Sequence, residues 1–504
     1  MTAAAVTWPV GTATSAVSAL TATGWVVARR VRCRALRPLR RAEAGLLSVA
    51  VVAAGFGLAA GLRSDAVGDH PLTEHLGATV WVTVIPVESP RPARGGRLMF
   101  RADLRAGGGG GGRVVVFAPA VGFAELSAGQ PVRFRARVSA PARKDLTVAV
   151  LSAAGRPVAG RASDLQRAAQ AVRLRFAAAA AESLPADQAA MLPALVLGDT
   201  AALSATTTRS FRTAGLTHLT AVSGANVAIV CGAVLLSAAL IGPRAAVGLA
   251  GVTLVLFVIV VQPTASVLRA AVMGAITLLA VLTDRRRHAV PALSATVILL
   301  MVLAPELAVD IGFALSVLAT AALVVAAPLW SARLTARGWP KPVADAVCVA
   351  AAAQLVTAPL VAAVSGQLSL VGLAANLAVA PVIPPITVLG TAAAALCPLS
   401  PAVAGLLIRL TGPELWWLLT VAEFAAAIPG AAVPVPSGWL GLVTVGAAAA
   451  AAVLLWNRPR RGGVTRSPGE PAPDPRRGGA ARRARDRRDP ARGAGRRRHR
   501  RRPG

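Results

Sequence analysis

Between Gly215 and Val230 the chain reads GLTHLTAVSGANVAIV, apolar enough to enter a membrane yet carrying His218, Thr220, Ser223, Gly224 and Asn226. On one helix at 100° per residue, Thr217, Thr220, Ser223 and Asn226 each step back by about 60° and are expected to form a single polar stripe with Gly224 inside it. Such a stripe serves either close helix–helix packing or the lining of a wetted pathway, and periodicity alone leaves both open. His218 is expected off the stripe, at the helix entrance. Hydrolysis is the third chemistry these residues suggest, with Ser223 as nucleophile and His218 as base. Five positions apart on one helix, however, the two point in different directions, so the base would have to come from another span.

Similar polar positions recur in other apolar runs. PTASVLRAAVMG places Arg269 about two turns into a span with Ser266 on the same face; snorkelling to lipid heads is the alternative role for such an arginine. VDIGFALSVLAT puts Asp310 at a helix start, where a carboxylate caps free amides, and Ser316 and Thr320 on one face beyond it. Gln354 lies inside a run expected to break at Pro359, and Asn376 inside another followed by Pro381, Pro384 and Pro385. Helices broken by proline and carrying amides are tolerated where they line a cavity or are buried in protein.

These residues need a frame that holds them in hydrocarbon. Of 504 residues 55% are hydrophobic, and apolar runs long enough to span a bilayer recur along the chain, so a polytopic α-helical membrane protein is expected. The first runs, Val6–Val27 and Ala44–Leu62, flank seven arginines between Arg29 and Arg41, and nine more fall near 219–241, 246–262, 264–282, 289–304, 310–329, 343–364, 369–395, 403–427 and 437–456. That makes about eleven spans. Arg244, Arg285 to Arg287, and Arg333, Arg337 and Lys341 follow alternate runs, which places those loops and the C-terminus in the cytoplasm. From 457 to 504 the chain carries eighteen arginines against four acidic residues, with almost nothing apolar. It is expected to be a disordered basic tail.

Residues 63–160 have a different pattern. TEHLGATVWVTVIPV, GRLMFRADL, RVVVFAPAV, QPVRFRARVSA and LTVAVLSAAG alternate apolar with polar residues, as half-buried strands do. Five strands suit a small extracytoplasmic barrel, the oligonucleotide-binding barrel being one form. Arg101, Arg105, Arg113, Arg133, Arg135 and Arg137 are its candidate phosphate contacts; a solvated strand face is the plainer reading of the last three. Phe100, Phe117, Phe123 and Phe134 offer a thin stacking platform. The glycines 107–112 lack the Lys-Ser/Thr ending of a phosphate loop and read as a hairpin connection. Residues 161–214 are expected to be amphipathic and linker helices, with Arg161, Arg167, Arg173 and Arg175 among alanines, lying on the membrane or packing on the barrel. The four cysteines and five histidines have no metal-site or disulfide spacing, so neither metal nor cofactor is expected.

Gly215, Leu216, His218, Leu219, Ser223, Gly224 and Val227 resemble the GxxHLxAxSGxHV signature of the ComEC-type competence proteins. LVLGDT (Leu195–Thr200) is similar to that family's LLGD segment, and SVLRAAVMG, DIGFALSVLAT and the AAAQLVTAPL…GQLSLVGLAANLAVAP stretch resemble three further blocks in order. The resemblance covers roughly residues 40 to 455. It implies an inner-membrane channel for DNA uptake in natural transformation, not an enzyme, with a soluble oligonucleotide-binding-like domain between the second and third spans. Single-stranded DNA and membrane lipids would be its contacts, and a cytoplasmic ATPase or helicase motor and a surface DNA receptor its partners, since no nucleotide-binding loop is present. Asn226 stands where the family carries a second His. Many members end in a metallo-β-lactamase-like domain, whose HxHxDH motif has no counterpart here. Either a separate nuclease supplies that activity or this chain is a shortened version. A small-solute or lipid transporter, and behind it an intramembrane hydrolase, remain the alternative readings.

Overall fold

The computed structural model describes residues 64–105, 111–141, 146–220, 222–262, 265–282 and 289–457. The expected spans Val6–Val27 and Ala44–Leu62, most of the glycine loop, Arg285 to Arg287 and the basic tail lie outside these residues. The chain divides into two units, 1–451 and 452–504; the second is described only in the last residues of its helix.

The alternating segments form a mixed sheet. Its strands are β1 (Thr79–Pro86), the two-residue β2 (Arg91–Pro92), β3 (Arg97–Leu104), β4 (Arg113–Pro119), β5 (Val132–Ser139) and β6 (Thr147–Ala159). The order is β1-β5-β6-β4-β3-β2, and β1 also pairs with β3, Val84 opposite Leu104, so each of the five long strands pairs with two others of the five. All pairs are antiparallel except β4 with β6. Every second residue of β5 is buried, as period-two patterning dictates. Phe100, Phe123 and Phe134 are fully buried in this core, the last two meeting edge to face at 5.3 Å. They are therefore packing residues, not the stacking platform that the sequence offered.

Helices follow. α1 (Asp164–Ser183), α2 (Ala186–Leu197) and α3 (Ala205–Thr213) share one apolar core with the later helices, through Phe176, Met191, Leu192 and Phe211. Residues 161–214 are thus part of the helical body. α1 packs on α2, and its Gln166 lies beside Gly129 of the sheet domain. A Ser163–Gln166 capping box starts it, satisfying amides that a helix start leaves open.

The later helices are α4 (Gly224–Ser237), α5 (Pro243–Val261), α6 (Ala265–Leu282), α7 (Ala289–Leu303), α8 (Ile311–Ala321), α9 (Ala327–Thr335), α10 (Lys341–Ser365), α11 (Gly372–Val379), α12 (Ile383–Leu396), α13 (Pro401–Leu410), α14 (Gly412–Ala427) and α15 (Gly438–Asn457). Four helical stretches are long and apolar enough to cross a membrane, 243–261, 311–335, 341–365 and 438–456, or up to six if α11 with α12 and α13 with α14 each count as one bent span. Two of the eleven expected spans lie outside the described residues, and the other nine runs yield these four to six stretches of full length. The run at 219–241 yields only the 14 residues of α4, roughly 21 Å of helix against a hydrocarbon core of about 30 Å. The helix starts late because Ser223 caps it.

The proline expectations divide. Pro384 and Pro385 open α12 after a 54° bend from α11, where their missing N–H groups cost nothing. Pro359, expected to break its run, does not: α10 continues through it. Two short strands fix the course of the last helices. β7 (Gln367–Ser369) pairs antiparallel with β8 (Ala432–Pro434), so the four helices between them must leave and return on the same side.

Replacing Phe134 with Ala should cost the sheet domain about 3–5 kcal/mol, because a fully buried ring leaves a cavity that β-strands cannot close. Limited proteolysis should then cleave within 79–159 while helices α4 to α14 stay protected; unchanged protection of the sheet would contradict this packing.

Candidate functional site

Two regions gather the candidate residues. On the sheet, Arg133, Arg135 and Arg137 occupy the exposed positions of β5. Their cross-strand partners on β1 are Thr83, Trp81 and Thr79. The Arg133 guanidinium lies 5.2 Å from the centre of the Trp81 ring, a cation–π distance, and Trp81 is 55% exposed. Sequence reasoning missed Trp81. The signal was present: in TVWVTV it falls in the polar phase of a strand whose alternate residues are buried.

Arg101 and Arg113 are placed differently. Arg113 donates to Glu306 at 3.1 Å and lies 3.7 Å from Asp103, while Arg101 lies 3.7 Å from Asp310. Gln262 also donates to the Ser89 hydroxyl at 3.0 Å. Both arginines thus face the loop between α7 and α8 and are paired with its carboxylates. Arg105 is exposed at the end of β3.

The second region lies among the helices. Thr217 and Thr220 are not on α4 with Ser223 and Asn226: Thr217–Leu219 form a 3-10 turn, closed by the Thr220 hydroxyl donating to the Thr217 carbonyl at 2.9 Å. The expected four-residue stripe is therefore divided by the helix start. His218 lies in this turn, ahead of α4, and the partner of the Ser223 hydroxyl is Asn226. The Ser223 hydroxyl accepts the Asn226 backbone N–H at 3.4 Å and donates to its side-chain oxygen at 3.1 Å. The buried Asn226 amide then donates to the Leu195 carbonyl at 2.9 Å.

Leu195 opens the LVLGDT segment. Gly198 ends α2 at φ 72°, and a β-carbon there would meet Val222 at 3.1 Å. The neighbouring Asp199 carboxylate sits 3.7 Å from the buried Arg173, which also donates to the carbonyls of Leu197 and Val260 at 3.4 and 3.2 Å. Burial pulls the Arg173 pKa below its ordinary value, and Asp199 opposes that shift. Arg173 was legible only as one of several arginines on an alanine-rich helix.

Gly224 lies against α6: a β-carbon there would come within 2.7 Å of Arg269 Nη2 and 3.3 Å of Ala270. Arg269 is 5% exposed and donates from Nε to the Ser316 hydroxyl at 2.8 Å, which lies 3.2 Å from that of Ser266. Asp310 caps α8 by accepting from the Phe313 N–H at 2.7 Å. On the other flank Gly215, at φ 72°, packs on Ser369 and Gly372. Ser369 donates to the Thr213 carbonyl at 2.8 Å and accepts at its own carbonyl from Gln354 at 3.2 Å. Asn376 donates one turn back to the Gly372 carbonyl at 2.8 Å. Residues expected to line a pathway thus join five chain segments, α2, α4, α6, α8 and the α10–α11 turn. Beside Asn226 only a narrow cleft remains, lined by Leu195, Leu219, Ile383, Ile386 and Thr387. Among the described residues no group of three His, Cys, Asp or Glu is placed to hold a metal.

Asn226→Ala should leave the Leu195 carbonyl and the Ser223 hydroxyl without their partner and cost about 1–3 kcal/mol. Asn226→Asp, which cannot donate when ionised, should be no better tolerated. Thermal unfolding of the full chain in detergent would measure both, and a wild-type midpoint in Asn226→Ala would remove this tie from the account.

No curated protein and no solved structure matches this chain. A family profile described as Competence protein matches residues 195–460, just over half of the sequence, and takes in every helical segment of the cluster from the LVLGDT turn onward. The chain belongs to the competence protein family, whose role lies in DNA uptake for transformation.

Proposed function

We propose that this protein passes single-stranded DNA from the outer face of the cytoplasmic membrane to the cytoplasm. The observation that carries this reading is the convergence of Ser223, Gly224, Asn226, Arg269 and Ser316, from separate apolar segments, into one polar cluster. Polar side chains are costly in hydrocarbon unless they serve a pathway or a partner. The strand order of the sheet, with its one parallel pair, supports an oligonucleotide-binding-like barrel, and the second and third spans would flank it outside the membrane. Eleven spans in all, with a cytoplasmic C-terminus, fit the basic loops.

In this reading the exposed face of β1 and β5 receives the strand. Arg133, Arg135 and Arg137 would hold phosphates while Trp81 stacks on a base, a sequence-tolerant combination; Arg105, beside the glycine loop, would add a mobile contact. Arg101 and Arg113, already paired with Asp310 and Glu306, would dock the sheet on the helices. The cluster among the helices is closed, so passage requires the helices to part. Without a nucleotide-binding loop, the driving force would come from a cytoplasmic ATPase or helicase, the substrate from a surface receptor, and degradation of the other strand from a separate nuclease.

Deleting the protein should abolish entry of labelled DNA in a competent host; undiminished uptake would refute the reading. In the purified full chain, replacing Arg133, Arg135 and Arg137 with Gln should flatten the dependence of log affinity for oligo-dT on log salt by about 2. Trp81→Ala should cost about 1–3 kcal/mol of binding with little change in that slope. An unaltered slope in the triple variant would move the binding face elsewhere.

A further inference from the structure

The start of α4 and the side chain of Arg269 bring two positive features together inside an apolar body. A helix N-terminus carries roughly half a positive charge on its unpaired amides. At α4 the Ser223 hydroxyl takes up the N–H of Asn226, and the N–H groups of Gly224 and Ala225, which have no intrahelical acceptor, remain. The Arg269 guanidinium lies directly against this turn, Nη2 being its nearest atom to Gly224. Arg269 is 95% buried, since only 5% of it is exposed. Its hydrogen-bond partners are the neutral Ser316 hydroxyl and, at 3.9 Å, the Met273 sulfur, and among the described residues no carboxylate lies within ion-pair distance of it. The other buried arginine, Arg173, has both Asp199 and backbone carbonyls. A buried cation facing a helix N-terminus with no counter-charge is electrostatically unfavourable until an anion joins it.

The surroundings are those of an anion site. Ser266 and Ser316 present two hydroxyls 3.2 Å apart on the guanidinium's Nε side. Gly224 has no side chain to fill the space, and any β-carbon there would displace the guanidinium. The site also has a defined depth. Arg269 lies about one turn, roughly 6 Å, below the start of α6, at the end of the helices where Gln262 meets Ser89 and Glu306 meets Arg113.

Resting on the transport reading above, we propose that Arg269, Ser266, Ser316 and the free amides at the start of α4 form a site for one phosphate group, taken by the phosphodiester backbone of the entering strand. The guanidinium and amides would replace the water that a phosphate loses on entering the helices. One such site at the mouth would reject neutral polymers and leave the bases unread.

The test uses the full chain purified in maltoside detergent, with inorganic phosphate as the probe and chloride at equal ionic strength as the control. Phosphate should raise the unfolding midpoint of the wild type above the chloride value; Arg269→Gln should abolish that increment and Arg269→Lys keep part of it. No increment in the wild type, or a full increment in Arg269→Gln, overturns the proposal. Should Arg269→Gln not fold, Ser316→Ala and Gly224→Ala retain the charge and should each shrink the increment; a full increment in both is equally fatal. In nanodiscs, a response to phosphatidylglycerol and none to inorganic phosphate would make this a lipid-headgroup site and overturn the strand assignment. Uptake separates the two readings. Normal uptake by Arg269→Gln in a host where deletion abolishes it sinks the phosphate site and leaves transport standing, whereas normal uptake after deletion removes transport itself.

Discussion

A helix that begins inside an apolar body must find partners for its first amides there, and α4 is such a helix. Ser223 supplies one acceptor and holds the oxygen of Asn226, and Asn226 spends its own N–H on the carbonyl of Leu195. This one amide ties the start of α4 to the last turn of α2. It thereby fixes where Gly224 faces α6 and where the Gly198 turn meets Val222. On the far side of that turn Arg173 binds the carbonyls at the ends of α2 and α5 and reaches Asp199. The motif residues at 195–200 and 215–227 are therefore two halves of one joint. The hydrogen bonds that join these halves, Asn226 to Leu195 and Arg173 to Leu197 and Val260, pair groups that an apolar interior would otherwise leave unpaired.

The basic residues of the sheet domain serve two faces with different electrostatics. Arg101 and Arg113 meet carboxylates of the loop before α8. Their charge is largely balanced locally, and their pairing is half exposed, so it positions more than it stabilises. Arg133, Arg135 and Arg137 also occupy the outward phase of their strand, but beside Trp81 and Thr residues and opposite no carboxylate on β1. An unbalanced row of three charges next to an exposed indole favours polyanions that also present flat rings. One composition thus yields a face paired with carboxylates and a face whose charges stand unbalanced. The difference comes from what stands across the gap, which no count of arginines reveals.

The sequence made the strands legible because their period of two survives in every segment, from Val80 to Ala154; it made membrane character legible because the apolar runs are long. Helix boundaries were less accessible. Placing Ser223 at the cap of a helix and not inside it required knowing that Asn226 would find an acceptor on a distant segment, and the single stripe from Thr217 to Asn226 failed on that point. Pro359 failed oppositely, because a 25-residue helix tolerates one missing ladder bond when its neighbours hold it straight. Within the site, Asp310 as a cap, and Ser266 and Arg269 on one face, follow from spacing alone. That Arg269 meets Gly224, or Ser369 meets Thr213, depends on tertiary approach across dozens to more than a hundred residues of sequence, which no local period encodes.

The closed cluster also constrains how it can open. Separating α2 from α4 would strand the Asn226 amide and the Leu195 carbonyl in an apolar setting, and moving α1 would strand the Arg173 guanidinium; each leaves a buried polar group unpaired, at a cost of about 1–3 kcal/mol or more. The seam between α4 and α6 has no such tie. There Gly224 and Ala270 meet through small surfaces, and the polar contacts behind them, Arg269 with Ser316 and Ser266 with Ser316, are exchangeable with water or with phosphate oxygens without orphaning a donor. On the transport reading proposed above, a body that parts for a polyanion and reseals against ions would do so at least cost where the groups exposed by parting are the ones the polyanion satisfies. By that criterion α6 would move away from α4 together with α8, while the hydrogen bonds of Asn226 and Arg173 would hold α1, α2 and α4 together.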